Sequence, residues 1–154
     1  MSEIPIRSFM VSLIVLRKVE TEAEVLLLKR TQTLTGEWCQ VAGGIEGNET
    51  AWQAALRELM EETGLSALKL YSADICEQFY EADRDAITMA AVFVAIVGDN
   101  DVISLNHEHS DFQWVSFEQA RDMVPFAGQR NVLRHVEEEI VNRPVHPQLL
   151  LFEG

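Results

Sequence analysis

The sequence predicts an α/β or α+β sandwich. Aliphatic, β-branched runs stand on both sides of one capped internal helix, and two further helical segments follow near the C-terminus. With 154 residues and 47% hydrophobic content, the chain suits one core of ordinary size and is short for two, so residues 1–154 are expected to form a single domain.

The elements follow in chain order. Ser8–Arg17 (SFMVSLIVLR) and Glu24–Arg30 (EVLLLKR) are short aliphatic runs separated by polar KVETEA, which fits a strand pair, with helix as the competing reading of the second run. TLTGE at 33–37 reads as a loop, and WCQVA at 38–42 as a short strand leading to Gly43-Gly44. Thr50 and Gln53 have capping-box spacing and Gly64 stands where a C-terminal helix glycine belongs, which places a helix at about 51–63. Two strands are expected at 68–81, with a bulge, and 86–97, joined by the charged turn ADRD. DFQWVSF at 111–117 alternates as a strand, Ser116 caps a short helix over 117–123, and a longer helix is expected over 128–142, ending before Pro144. The tail RPVHPQLLLFEG has no assignment.

Composition narrows the function. A net charge of −13 repels nucleic-acid phosphates and anionic lipids, so neither nucleic acid nor membrane is expected as a partner, and an anionic substrate requires a mediating cation. No run of eighteen uncharged apolar residues and no N-terminal signal pattern is present, and the expected location is the cytoplasm. Cys39 and Cys76 lack metal-type spacing and read as reduced core thiols. Asp99-Asn100-Asp101 lacks the remaining ligands of a calcium loop and reads as a turn, while Glu137–Glu139 reads as a solvated helix face.

The helix at 51–63 carries the chemistry. At about 100° per residue, Trp52, Ala55, Leu56, Leu59 and Thr63 cluster on one side, and Glu58, Glu61 and Glu62 share another. A Glu-rich helix commonly presents a solvated acidic face, with Arg57 and Glu61 as an ordinary pair. Yet these three carboxylates repel one another at the i, i+3 and i+4 spacings, near the helix end where the dipole disfavours anions. A divalent cation reverses that penalty: Mg²⁺ or Mn²⁺ takes oxygen ligands and is commonly shared between carboxylates and substrate phosphates. The preceding AGGIEGN is a glycine-rich turn able to bring carbonyls to the ion or amides to a phosphate.

Gly43, Glu49 and Arg57-Glu58-Leu59-Met60-Glu61-Glu62-Thr63-Gly64-Leu65 match G-x5-E-x7-R-E-U-x-E-E-x-G-U, U being aliphatic, at every defined position. The chain thereby resembles the Nudix hydrolases. The resemblance implies a mixed-sheet α/β/α sandwich and Mg²⁺- or Mn²⁺-assisted attack of water on a nucleoside diphosphate linked to another group. It implies metal binding by Glu58, Glu61 and Glu62 with a main-chain carbonyl of Ala42 or Gly43, and orientation of those ligands by Arg57 and Glu49. The general base is open between Glu58 and Glu108, the latter in NHEHSDFQW just before a predicted strand. Dimers are common in the family, so a homodimer is compatible with the resemblance.

LLLKR, EWCQVAGG, EHSDFQWV and GQRNVL look similar to the branch acting on nucleoside or pterin triphosphates; Val41-Ala42 stands where Pro-Gly is frequent. The expected activity is therefore hydrolysis of a small nucleotide, a nucleoside or pterin triphosphate giving a monophosphate and pyrophosphate. The alternatives are ADP-ribose, nucleotide sugars, dinucleoside polyphosphates, or a non-catalytic nucleotide-binding module; an RNA-end hydrolase fits the charge poorly. For the substrate, Arg30 and Arg130 are candidate phosphate contacts, Gly44 belongs to the loop, and Trp38, Phe79, Tyr80, Trp114 and Phe126 are candidate stacking partners.

Overall fold

A computed structural model describes residues 1–154. Its frame is one mixed sheet. Strand β1 (Ile6–Arg17) runs through the middle, and its residues 11–16 are buried on both faces, which is why they read as an apolar run broken only by Ser12 and without alternation. β2 (Glu24–Arg30), β3 (Trp38–Cys39) and β4 (Val41–Gly44) precede helix α1 (Ala51–Thr63). β5 (Lys69–Glu81), β6 (Ala86–Ile96) and β7 (His109–Val115) follow it, then helices α2 (Phe117–Met123) and α3 (Ala127–Val136), and finally β8 (Leu150–Glu153). The strand order is β3-β2-β1-β6-β5-β8, with β4 on β1 and β7 on β2. β1 and β6 are parallel and the other pairs antiparallel.

The two faces of the sheet carry separate cores. Val11, Leu13 and Val15 point to one side and pack with Ala54, Ala55 and Leu59 of α1. Ile14 and Leu16 point to the other and meet Phe117 and Ala120 of α2 and Val132, Leu133 and Val136 of α3. The period-2 alternation of a strand thus becomes an α/β/α sandwich. No helix is long and apolar enough to cross a membrane.

One irregularity shapes the site. β1 pairs with β2 only at Leu16 and Arg17; closer to its start the same edge pairs with β4, from Met10 to Leu13. β3 pairs instead with β2 at Leu28 and Lys29. The segment 38–44 therefore passes from β2 to β1 as the two strands diverge, and Gln40 lies between the two ladders. The sequence predicts one strand there; the divergence of its partners splits it.

Helix α1 occupies the predicted range. Thr50 Oγ1 accepts from the Gln53 amide at 3.2 Å, the Gln53 side chain returns to the Thr50 amide at 2.8 Å, and Gly64 closes the helix in the left-handed region at φ 73°. Trp52 and Leu56 are only half-buried, while Ala54 joins Ala55 and Leu59 fully inside. The anticipated bulge in β5 is present: the register with β6 shifts between Ser72 and Cys76, and Asp74 adopts φ 58°. Beyond the bulge Cys76 is exposed, so of the two thiols only Cys39 belongs to the interior.

Near the C-terminus the structure departs from the predicted helix over 128–142. The α-helix ends at Val136, and Glu137–Val141 forms a wider turn in which the Asn142 amide reaches the Glu137 carbonyl at 2.9 Å. That turn keeps Ile140 buried while Glu138 faces solvent. The unassigned tail forms a 3₁₀ turn at Pro147–Leu149 and then β8 along the free edge of β5. Asp99-Asn100-Asp101 is a turn, Asp101 Oδ2 accepting from the Gly98 amide at 2.9 Å.

The cap of α1 is open to a direct test. Thr50→Ala removes the side-chain acceptor and is expected to cost about 1 kcal/mol, a Tm drop of roughly 2–4 °C in thermal denaturation.

Candidate active site

Helix α1 presents its acidic residues at the mouth of the split sheet, but the three do not share one environment. Glu58 and Glu62, one turn apart, are buried, with side chains 11% and 2% exposed, whereas Glu61 is 52% exposed. The helical step turns Glu61 out of the line joining the other two.

Arg57 ties this helix to the loop before it. Its Nη2 donates to the Gly44 carbonyl and to Glu49 Oε1, both at 2.7 Å. Its Nε donates to Glu49 Oε2 at 3.1 Å, and its Nη1 donates to Glu58 Oε1 at 2.9 Å and Glu61 Oε2 at 3.2 Å. One planar fork thereby positions two acidic side chains of the helix and the loop carboxylate. Hydrogen bonding to Arg57 holds the Glu49 carboxyl below its usual range, helped by the Glu46 amide at 2.8 Å. Its hydrogen bonds to Glu49 and then Glu58 raise Arg57 above its ordinary value.

Gly43 is required by proximity. A Cβ there would fall on the Glu58 carboxylate, so Glu58 lies directly over the backbone of β4. Gly44 serves through its carbonyl on Arg57.

Glu62 sits deepest. Its Oε2 has no hydrogen-bond partner, and neither has Nδ1 of the buried His109, which stands 3.6 Å from Glu62 Oε1. Burial pushes the Glu62 carboxyl well above its ordinary range, with Glu58 beside it and Glu108 adding to the effect. Burial lowers His109, which favours its neutral ring. Donor atoms of Glu62, Glu108 and His109 lie within 4.8 Å of one another, with Glu108 exposed at the rim. Two buried, unpaired acceptor-capable atoms beside a second buried carboxylate are costly without a counter-charge, and the donor set suits a divalent cation.

A cleft leads away from the acids in two connected parts. The inner part, about 210 Å³, is lined by Gln32, Thr33, Glu62, Glu108 and His109. The outer part, about 340 Å³, is walled by Leu34, Phe79, Tyr80 and Phe126. Arg30, Cys39, Gln40 and Ala42 line both. Arg30 is preset, its Nε donating to the Thr33 carbonyl at 2.7 Å and its Nη1 standing 3.9 Å from Cys39 Sγ. Burial pushes the Cys39 thiol up to about 11, so it is a packing group and not a nucleophile.

The cleft takes some expected substrate contacts and not others. Arg30 and Phe79 line it, as do Tyr80 and Phe126. Trp38 packs against the α2/α3 core and lines neither cavity. Trp114 packs against the α1 core under the Arg17 guanidinium, 4.4 Å from the ring centroid. Arg130 reaches back to the Val124 carbonyl at 3.3 Å. Sequence reasoning missed His109, Gln40 and Glu77; only their side-chain neighbours, which come from distant strands, mark them.

The family model described as the NUDIX domain matches residues 9–141. The asymmetrical bis(5'-nucleosyl)-tetraphosphatase of Caenorhabditis elegans is 29% identical over 79% of this chain and 88% of its own length. The nucleoside triphosphatase NudI of Klebsiella pneumoniae is 25% identical over 68% of this chain and 81% of its own. The crystal structure of a C. elegans Ap4A hydrolase binary complex superposes with a TM-score of 0.72 at 25% identity, covering 84% of this chain and 94% of the other.

Two outcomes test the geometry. Gly43→Ala is expected to displace Glu58 and abolish cation binding with the fold retained, as read by calorimetric titration and circular dichroism. Glu62→Gln removes a buried, unpaired carboxylate oxygen; its metal-free Tm should be equal to or above the parent's, and the stabilisation that Mg²⁺ or Mn²⁺ gives the parent should vanish in it.

Proposed function

The chain belongs to the NUDIX domain family, and from that premise we propose that it is a pyrophosphohydrolase of a small nucleotide, cutting a nucleoside or pterin triphosphate to a monophosphate and pyrophosphate. The observation that carries the substrate class is the cleft. Leu34, Phe79, Tyr80 and Phe126 are all solvent-exposed apolar side chains, and all four border the same outer cavity, which adjoins the acid-lined one. One aromatic wall suits one heterocycle, and the inner cavity suits its phosphates.

Under this reading Glu58, Glu61 and Glu62, with the carbonyl of Ala42 or Gly43, hold the cation. Bound there, Mg²⁺ or Mn²⁺ neutralises phosphate charge and makes a water more acidic. Arg57 and Glu49 keep the carboxylates in place against their mutual repulsion. Arg30, already braced by Thr33, meets phosphate at the junction of the two cavities. Glu108 is the better general base: it stands exposed at the rim close to Glu62, whereas Glu58 is taken up by the cation. Attack by water on phosphorus breaks the phosphoanhydride bond, and the proton passes to Glu108.

A second reading, cleavage of a dinucleoside polyphosphate, draws support from the tetraphosphatase relative. Chromatographic identification of all products, nucleotides and sugar phosphates as well as phosphate and pyrophosphate, formed with Mg²⁺ from dNTPs, NTPs, dihydroneopterin triphosphate, ADP-ribose, nucleotide sugars and diadenosine polyphosphates, separates the two. A triphosphate is expected to lead the panel with pyrophosphate as product, and Glu61→Gln to lower kcat by orders of magnitude in a folded protein. Preferential turnover of diadenosine tetraphosphate overturns the first reading; an unchanged rate in Glu61→Gln overturns the assigned acidic site.

A further inference from the structure

The floor of the outer cavity holds a polar chain that the hydrolytic chemistry does not use. Gln129 Nε2 donates to Gln40 Oε1 at 3.0 Å. Gln40 Nε2 in turn donates to Ser12 Oγ at 2.9 Å and to Glu77 Oε1 at 3.1 Å. The four residues come from β1, the β3–β4 break, β5 and α3, and Ser12, Gln40 and Gln129 are buried. Both oxygen and nitrogen of the Gln40 amide are engaged, and a flipped amide would set its nitrogen against the Gln129 donor and its oxygen against the Glu77 carboxylate. The brace therefore has one orientation, with its donor fixed on Glu77.

Glu77 is the one carboxylate that borders the outer cavity, among Phe79, Tyr80 and Phe126. An acid at that place is costly for a purely structural wall: burial raises its carboxyl above the ordinary range, and the hydrogen bonds from Ser12 and Gln40 offset that only in part. What the arrangement offers a planar guest is an apolar surface for its faces and a pinned acceptor for its edge.

Resting on the reading of the cleft as a heterocycle site, we propose that Glu77 is its specificity-determining residue, selecting a ring with two adjacent N–H donors on one edge, the amino group and ring N–H shared by guanine and pterins. A carboxylate accepts two parallel donors side by side. Adenine offers there a donor next to a ring-nitrogen lone pair, which a carboxylate oxygen repels.

The test is calorimetric titration of the full chain with GMP, AMP and neopterin, none of which requires turnover. The expected result is GMP or neopterin bound at least about tenfold tighter than AMP, the tighter of the two naming the source of the shared edge. Glu77→Gln, which substitutes a donor for one acceptor oxygen, should bring that ratio close to one, whereas Phe79→Ala should weaken all three without changing it. Equal binding of GMP and AMP by the parent, tighter AMP, no binding at millimolar concentration, or a ratio unmoved in Glu77→Gln each overturns the proposal. The parent's own ratio decides even where the variant folds poorly. A guanine or pterin preference in a protein that hydrolyses no triphosphate would sink the proposed activity and leave this inference standing.

Discussion

The site depends on a single guanidinium. Four acidic side chains, Glu49, Glu58, Glu61 and Glu62, crowd one loop and the last two turns of one helix, and Arg57 bonds three of them and a loop carbonyl. A lysine in its place would offer a point charge without the fork that meets Gly44 and Glu49 on one side and Glu58 on the other. Only Glu62 escapes the clasp, and it is the carboxylate whose charge burial most disfavours. Helix, loop and β4 are thus held together by the cation that the chain supplies, leaving the remaining uncompensated charge where a second cation fits.

Much of this was legible in the sequence because it is local. The cap at Thr50, the glycine at 64 and the Gly43–Leu65 spacing are short-range signals, and the structure reproduces the helix they define. The strands expected at 8–17, 24–30, 68–81 and 86–97 also stand within a residue or two, and the one expected at 111–117 begins and ends two residues earlier, since alternation and β-branched runs report burial on a pleated surface. What was not legible is non-local. Nothing in WCQVA marks Gln40 as a break, because the break is caused by β1 and β2 diverging; nothing in LLFE marks a strand, because its partner is the edge of β5, some eighty residues earlier in the chain. His109 and Glu77 look like ordinary polar positions until the sheet brings them beside Glu62 and Gln40. The aromatic candidates divide for the same reason: composition cannot tell Trp38 and Trp114, on the core sides, from Phe79 and Phe126, on the open one.

The exposed aromatics and the buried acids are two departures from the usual economy of a folded chain. Apolar side chains are left in water, and charged ones are taken out of it. Both departures lie on adjoining walls of one cleft, and each is relieved by a different part of the same kind of ligand: a flat ring at one end, a phosphate chain with its counter-ion at the other.

The crossing of segment 38–44 from β2 to β1 has a metrical consequence. Gln40, which braces the ring end, and Gly43, over which Glu58 lies, are three residues apart on one extended stretch, a span of roughly 10 Å. Both ladders clamp that stretch, so it neither lengthens nor slides. On the proposed reading the protein contains a ruler: with the ring seated at one mark, the other mark falls at a fixed distance along the phosphate chain. Which anhydride breaks then follows from the length of the molecule that enters, without any group having to recognise the scissile bond itself.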